Sequence, residues 1–177
     1  MPTITDLQSF LTRGLKTLFF GSFFFGVLTL SGQFVIHEPL QESVSIHHHT
    51  SSANSGRADV SIGDILEKKD TLHFLPLYAE IENIGFTTDR YWIKFQIQNR
   101  TDIPLSYILE TARPIIDSVT LYGVGIAGKV HIQENGDAIP FRKKSLPHRK
   151  SLFKIDLQPQ ALYTGYLHIK NDGEALV

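Results

Sequence analysis

The chain has 177 residues, with 17 Lys and Arg against 18 Asp and Glu and a formal net charge of −1. That length holds one domain with a real core plus a non-domain segment, and the charge balance offers no electrostatic footing for nucleic acid. There is no cysteine, which excludes disulfides, thiolate metal sites, cysteine nucleophiles and a lipid-bearing cysteine.

At the N-terminus, Arg13 and Lys16 precede the uncharged apolar run Leu18–Leu30, and apolar character resumes at Phe34-Val-Ile36. A positive flank before such a run marks a cleaved signal peptide or an uncleaved anchor, with the rest of the chain outside the cytoplasm. Counted from Leu18 to Ile36, the segment just spans a bilayer. Residues 1–36 are therefore expected as a hydrophobic signal or anchor helix. Residues 37–58 are small and polar and are expected as a linker. The globular domain is expected over 59–177. Within it, Asp59–Lys68 can hold a short strand and one helical turn capped by Ser61 or Asp64.

From there the pattern is one of strands. Tyr91, Ile93, Phe95 and Ile97 alternate with Trp92, Lys94, Gln96 and Gln98, a period of 2 that predicts one buried face. The single tryptophan falls on the polar side, which suggests a binding surface or a covered edge. Tyr107, Leu109 and Thr111 alternate in the same way, as do Val119 and Leu121, and Phe153, Ile155 and Leu157. From Tyr163 to Lys170, Tyr163, Gly165, Leu167 and Ile169 share one side. Val130–Gln133 is a short strand closed by Asn135-Gly136. Short strands without crossover helices predict an all-β antiparallel sandwich or jelly roll. Ala175-Leu-Val177 reads as the opening of one more strand, so the sequence is expected to be a fragment.

Several constellations could carry chemistry. His47–His49 offers imidazoles to a transition metal, but no acidic partner lies nearby in sequence, and a solvated linker is the better reading. No metal or cofactor is expected. No nucleophile elbow frames a serine, and a carboxylate pair such as Glu110 and Asp117 occurs by chance in any sheet. Gly123-Val-Gly-Ile-Ala-Gly128 has a phosphate-loop spelling without a following helix and reads as a hairpin loop. No catalytic residue is assigned. The basic run Phe141–Lys150 holds five Lys and Arg residues and His148. A solvated loop accounts for it. The functional alternative is a rim for an anionic or hydroxyl-rich ligand. The candidate ligand-binding set is then Trp92 as a stacking platform with Arg113, Arg142, His148 and Arg149 around it.

Gly85-Phe-Thr-Thr-Asp-Arg-Tyr-Trp-Ile-Lys-Phe95, followed by Asn99, resembles the most recognisable segment of the type 2 7TM-DISM extracellular domain. Three further segments agree in order. Tyr107-Ile-Leu-Glu110 with Pro114 and Ile116–Tyr122 is the first, Gly136–Phe141 the second, and Pro147–Phe153 with the closing strands the third. The resemblance spans about residues 59–177. It implies a jelly roll related to carbohydrate-binding modules. It also implies a non-catalytic sensor on the periplasmic side of the bacterial inner membrane, followed by seven transmembrane helices and a cytoplasmic output. The expected partners are a small-molecule or carbohydrate ligand and the inner membrane. A free-standing carbohydrate-binding or adhesive module of the envelope is the alternative.

Overall fold

The computed structural model describes residues 32–67, 72–79, 85–111, 116–125, 128–170 and 175–176. The strands are β1 (Phe34–Ile36), β2 (Thr50–Gly56), β3 (Leu75–Pro76), β4 (Gly85–Phe86), β5 (Arg90–Asn99), β6 (Leu105–Glu110), β7 (Ser118–Val124), β8 (Val130–Asn135), β9 (Leu152–Leu157), β10 (Leu162–Lys170) and β11 (Ala175–Leu176). One short α-helix, α1, covers Ile62–Leu66. Ser61 caps it, with Asp64 closing a reciprocal capping box, so both candidate cap residues are used.

The protein is mostly β. Seven strands form a large sheet in the order β3-β2-β5-β10-β7-β8, and β1 also pairs with β5. The β1–β5 pairing is parallel, with Phe34 opposite Ile97, while the other pairings in this sheet are antiparallel. β6 and β9 form a separate antiparallel pair, and β4 pairs with β11.

The small sheet lies on the large one. Phe95, Ile97, Val119, Leu121, Leu167 and Ile169 from the large sheet join Leu105, Phe153, Ile155 and Leu157 from the small one in a single buried cluster. This is the face that the period-2 alternation assigns to the core. Two buried asparagines tie the layers together at opposite ends of β9. Asn135 Nδ2 donates to Leu152 O at 3.2 Å, and Asn99 Nδ2 donates to Gln158 O at 3.0 Å. β9 thus runs from beside β8 to the far end of β5.

Two boundaries differ from the sequence expectation. Phe34–Ile36 is a strand of the sheet and not the tail of an apolar helix. Residues 50–56, expected in a polar linker, form β2 and pair with β5 from Thr50 to Gly56. Their small side chains carry little hydrophobic signal, yet the backbone hydrogen-bonds along an edge of β5 that would otherwise be open. His47–His49 is a 3₁₀ turn leading into β2, and His49 Nδ1 hydrogen-bonds Gly32 O at 3.0 Å. Residues 1–31, where the signal or anchor helix was expected, lie outside the described residues. Among the described residues no helix is long and apolar enough to cross a membrane.

Candidate functional site

The outer face of the large sheet carries the first part of the expected site. Trp92 sits opposite His168 on β10, and His168 opposite Thr120 on β7. This face is not open there. Trp92 is 0% exposed and Tyr166 and His168 are buried. Asp59 and Phe74 lie against this face: Arg90 Nη1 pairs with Asp59 Oδ1 at 2.7 Å, and the Phe74 ring meets Tyr166 edge-on at 6.3 Å. Ala53 and Val60 are also buried here, outside the main core cluster. The stacking platform expected at Trp92 is therefore corrected. Its ring is a packing element in a second, outer layer.

The basic residues lie elsewhere. Arg142 sits in a 3₁₀ turn, Phe141–Lys143, and His148 and Arg149 follow in the same loop, all three exposed. The loop is anchored to β8 by reciprocal bonds: Ser145 N donates to Glu134 O at 3.2 Å, and Glu134 N donates to Ser145 Oγ at 3.1 Å. Lys144 Nζ donates to His148 O at 3.4 Å. Three strand spacings separate β8 from β5, about 14 Å, so this loop and Trp92 do not form one site. Arg113 lies outside the described residues. The glycine-rich stretch from Gly123 lies at the β7–β8 hairpin, where Gly125 N donates to Lys129 O at 2.9 Å.

A different concavity lies on the inner face. Among the described residues β6 and β9 cover only part of the large sheet, and residues of β5 and β10 face a cleft of about 890 Å³. Tyr91, Ile93, Phe95, Ile97, Leu167 and Ile169 line one wall, and Tyr107 and Leu109 of β6 the other. Residues 42–47 border it as a strap. The strap is fixed at its start, where Leu40 N donates to Tyr107 Oη at 2.9 Å. At its end, Ser45 Oγ hydrogen-bonds His47 Nδ1 at 3.0 Å. Tyr91 Oη accepts from Asn54 Nδ2 at 3.1 Å. Burial, with Asp89 nearby, pushes the Tyr91 phenol above its ordinary value of 10.0, so it is neutral at physiological pH. At the mouth, Glu42, Ser43, Ser45 and Glu110 are exposed, and Glu110 is paired with Lys150.

The cleft falls within the size range of small-molecule pockets and is mainly apolar, as such pockets are. Among the described residues no cluster of three or more His, Asp or Glu could hold a metal. The sequence signal for the cleft was present but ambiguous. Alternation at Tyr91–Ile97 marks a covered face, and nothing in that pattern says whether a partner strand or a cavity covers it. The strap has no periodicity to reveal it.

The sequence profile of the family described as 7TMR-DISM extracellular 2 matches residues 48–177. The chain belongs to that family. The match begins before β2, which agrees with β2 being part of the sheet. Membership places this 7TMR-DISM extracellular 2 domain among extracellular sensor domains of membrane receptors and implies an extracytoplasmic location. No match was found among curated proteins.

Proposed function

We propose that the protein is a non-catalytic, periplasm-facing ligand sensor, the N-terminal part of a bacterial receptor of the inner membrane, and that its ligand enters the cleft between the sheets. The observation that carries this reading is the cleft itself. It sits between the layers of a domain whose family is extracellular, is bordered by a strap, and has pocket dimensions. A jelly-roll arrangement belongs to the same proposal, supported by two face-to-face antiparallel layers joined by non-sequential strand order. The positive flank at Arg13 and Lys16 supports export through the N-terminal segment. A second reading, a free-standing envelope module, keeps an anionic ligand at Arg142, His148 and Arg149. Their exposure on one loop favours it.

The test is a thermal-shift screen of small molecules on the full chain, run beside a Leu109→Trp variant that fills the cleft. A sensor of this kind yields a compound that raises the melting temperature of the wild type and not of the variant. Stabilising compounds that ignore Leu109→Trp but fail with Arg142→Ala and Arg149→Ala would move the site to the basic loop.

A further inference from the structure

We propose that the cleft takes a neutral, predominantly apolar small molecule and not a sugar, an inference that rests on the cleft being the sensing site. The walls decide the chemistry. Ile93, Phe95, Leu167 and Ile169 face it from the large sheet and Leu109 from β6, and none of these side chains can donate or accept a hydrogen bond. A sugar pressed against such walls would bury hydroxyls without partners, each at a cost of about 1–3 kcal/mol. An apolar body instead removes both its own surface and the cleft's from water.

Polar side chains also line the cleft, Thr50, Ser52, Tyr91 and Tyr107 among them, but the Tyr91 and Tyr107 hydroxyls already accept from Asn54 Nδ2 and Leu40 N, and Thr50 Oγ1 donates to His47 O. Glu42 and Glu110 are exposed at the mouth. Lys150 neutralises Glu110, and the mouth has no surplus positive charge from these residues to attract an anionic head. A carboxylate end would meet Glu42 there, whereas a hydroxyl end can hydrogen-bond it. The ligand class is therefore an uncharged molecule with a branched or ring-shaped apolar body and at most one hydroxyl-type end. Its volume is limited by the roughly 890 Å³ of the cleft.

The sugar alternative loses its structural basis on the other face as well. The one tryptophan that could stack on a pyranose is 0% exposed, and the basic loop is three strands away from it.

The experiment is isothermal calorimetry on the full chain in lipid nanodiscs, with empty nanodiscs as the blank. Geraniol, a neutral isoprenoid alcohol, and maltose serve as probes. Geraniol is expected to bind the wild type, and Leu109→Trp to weaken it at least about tenfold. Val44→Glu, at an exposed strap position that tolerates substitution, is expected to weaken it in the same direction. A cooperative melt of each variant shows that the fold is intact. Maltose is expected to give no heat of binding. Maltose binding that Leu109→Trp abolishes would overturn the apolar class while leaving the cleft as the sensing site. Geraniol binding that is equal in the wild type and in both folded variants, or absent from the wild type, would overturn the proposal.

Discussion

The rings of Trp92 and His168 stack 4.2 Å apart with their planes 7° from parallel. They face each other across adjacent strands β5 and β10, and both are buried. Tyr122 extends the stack, its ring 5.5 Å from that of Trp92. Trp92 Nε1 and His168 Nε2 are buried without a hydrogen-bond partner among the described residues. Aromatic packing thus holds the centre of the outer layer, while an ion pair between Arg90 and Asp59 fastens its edge.

Truncating this tryptophan removes the centre of the outer layer. Trp92→Ala is expected to destabilise the domain by about 3–5 kcal/mol, the usual range for a fully buried large aromatic. Trp92→Phe keeps a ring and removes the unpaired N–H, so its loss is expected to be smaller. Urea denaturation of the two variants beside the wild type checks the order. A loss below about 0.5 kcal/mol for Trp92→Ala would mean that the ring behaves as a surface residue.

His168 gives the fold a pH dependence of known sign. Burial, with Lys170 and Arg90 nearby, lowers its pKa from 6.5 to about 4, and Asp59 opposes the shift. Tyr122 packs on the same aromatic stack and stays protonated, because burial, with Glu134 and Asp59 near it, raises its pKa. Folding therefore favours the neutral imidazole. The stability this contributes is complete above pH 6.5 and is lost as pH falls towards about 4. Melting temperature is expected to fall across that window in the wild type and to fall less in His168→Phe, which cannot titrate. Parallel slopes for the two proteins would refute the assignment.

Gly165 lies directly opposite Phe95 on the neighbouring strand. A Cβ at Gly165 would overlap the Phe95 ring, so the glycine makes room for the aromatic at the core. Gly165→Ala is expected to cost about 1–3 kcal/mol through overpacking. Pairing it with Phe95→Leu should recover part of that loss, because the smaller side chain withdraws from the added methyl. Thermal unfolding of the two single variants and the double variant measures the coupling. Strictly additive losses would rule out the proposed contact.

The sequence shows the core strands plainly and the outer layer only as one of two readings of Trp92, the covered edge, which its burial bears out. Phe153, Ile155 and Leu157 alternate with charged Lys154 and Asp156, and the structure buries the first set. Period-2 reasoning assumes one dry face and one wet face. β5 breaks that assumption, since Trp92 and Gln98 are buried on the side that holds Lys94 and Gln96. β2 was invisible because Ser51, Ser52 and Asn54 pair through backbone without an apolar stripe. The cleft left only an ambiguous trace in the alternation from Tyr91 to Ile97. Its walls are core-type residues, and their alternation does not say whether strands or open space covers them.

The basic loop supplies a contrast to the cleft. Arg142 and Arg149 are exposed, and the loop is anchored through Ser145 to β8 rather than through these arginines. Replacing both by Ala is expected to change stability by less than about 0.5 kcal/mol. It should also leave binding of an apolar probe unchanged. Calorimetry on the double variant checks both points. A loss of geraniol binding without a loss of stability would connect the loop to the ligand.

Asn99 is the polar joint between the layers. It is 0% exposed, yet its side chain is fully engaged. Nδ2 donates to Ile103 O at 2.9 Å and to Gln158 O at 3.0 Å. Oδ1 accepts from Thr101 N at 2.9 Å and from Thr101 Oγ1 at 2.8 Å. One amide thus folds the turn after β5 back on itself and fastens it to the end of β9. Removing it leaves two carbonyls and an N–H partly or wholly unpaired in a buried place, so Asn99→Ala is expected to cost about 3 kcal/mol. Asn99→Asp keeps the acceptor that holds Thr101 but loses the donor, and it places a carboxylate against two carbonyl oxygens. It is expected to be at least as destabilising at neutral pH, with part of the loss recovered on acidification as the carboxyl protonates and regains a donor. Asn135→Ala, at the other end of β9, breaks one bond to Leu152 O and one from Gly136 N, and should cost less than Asn99→Ala. Urea unfolding of the three variants at two pH values tests the ranking. If Asn99→Ala is no worse than Asn135→Ala, the joint at the β5 end is not the stronger of the two.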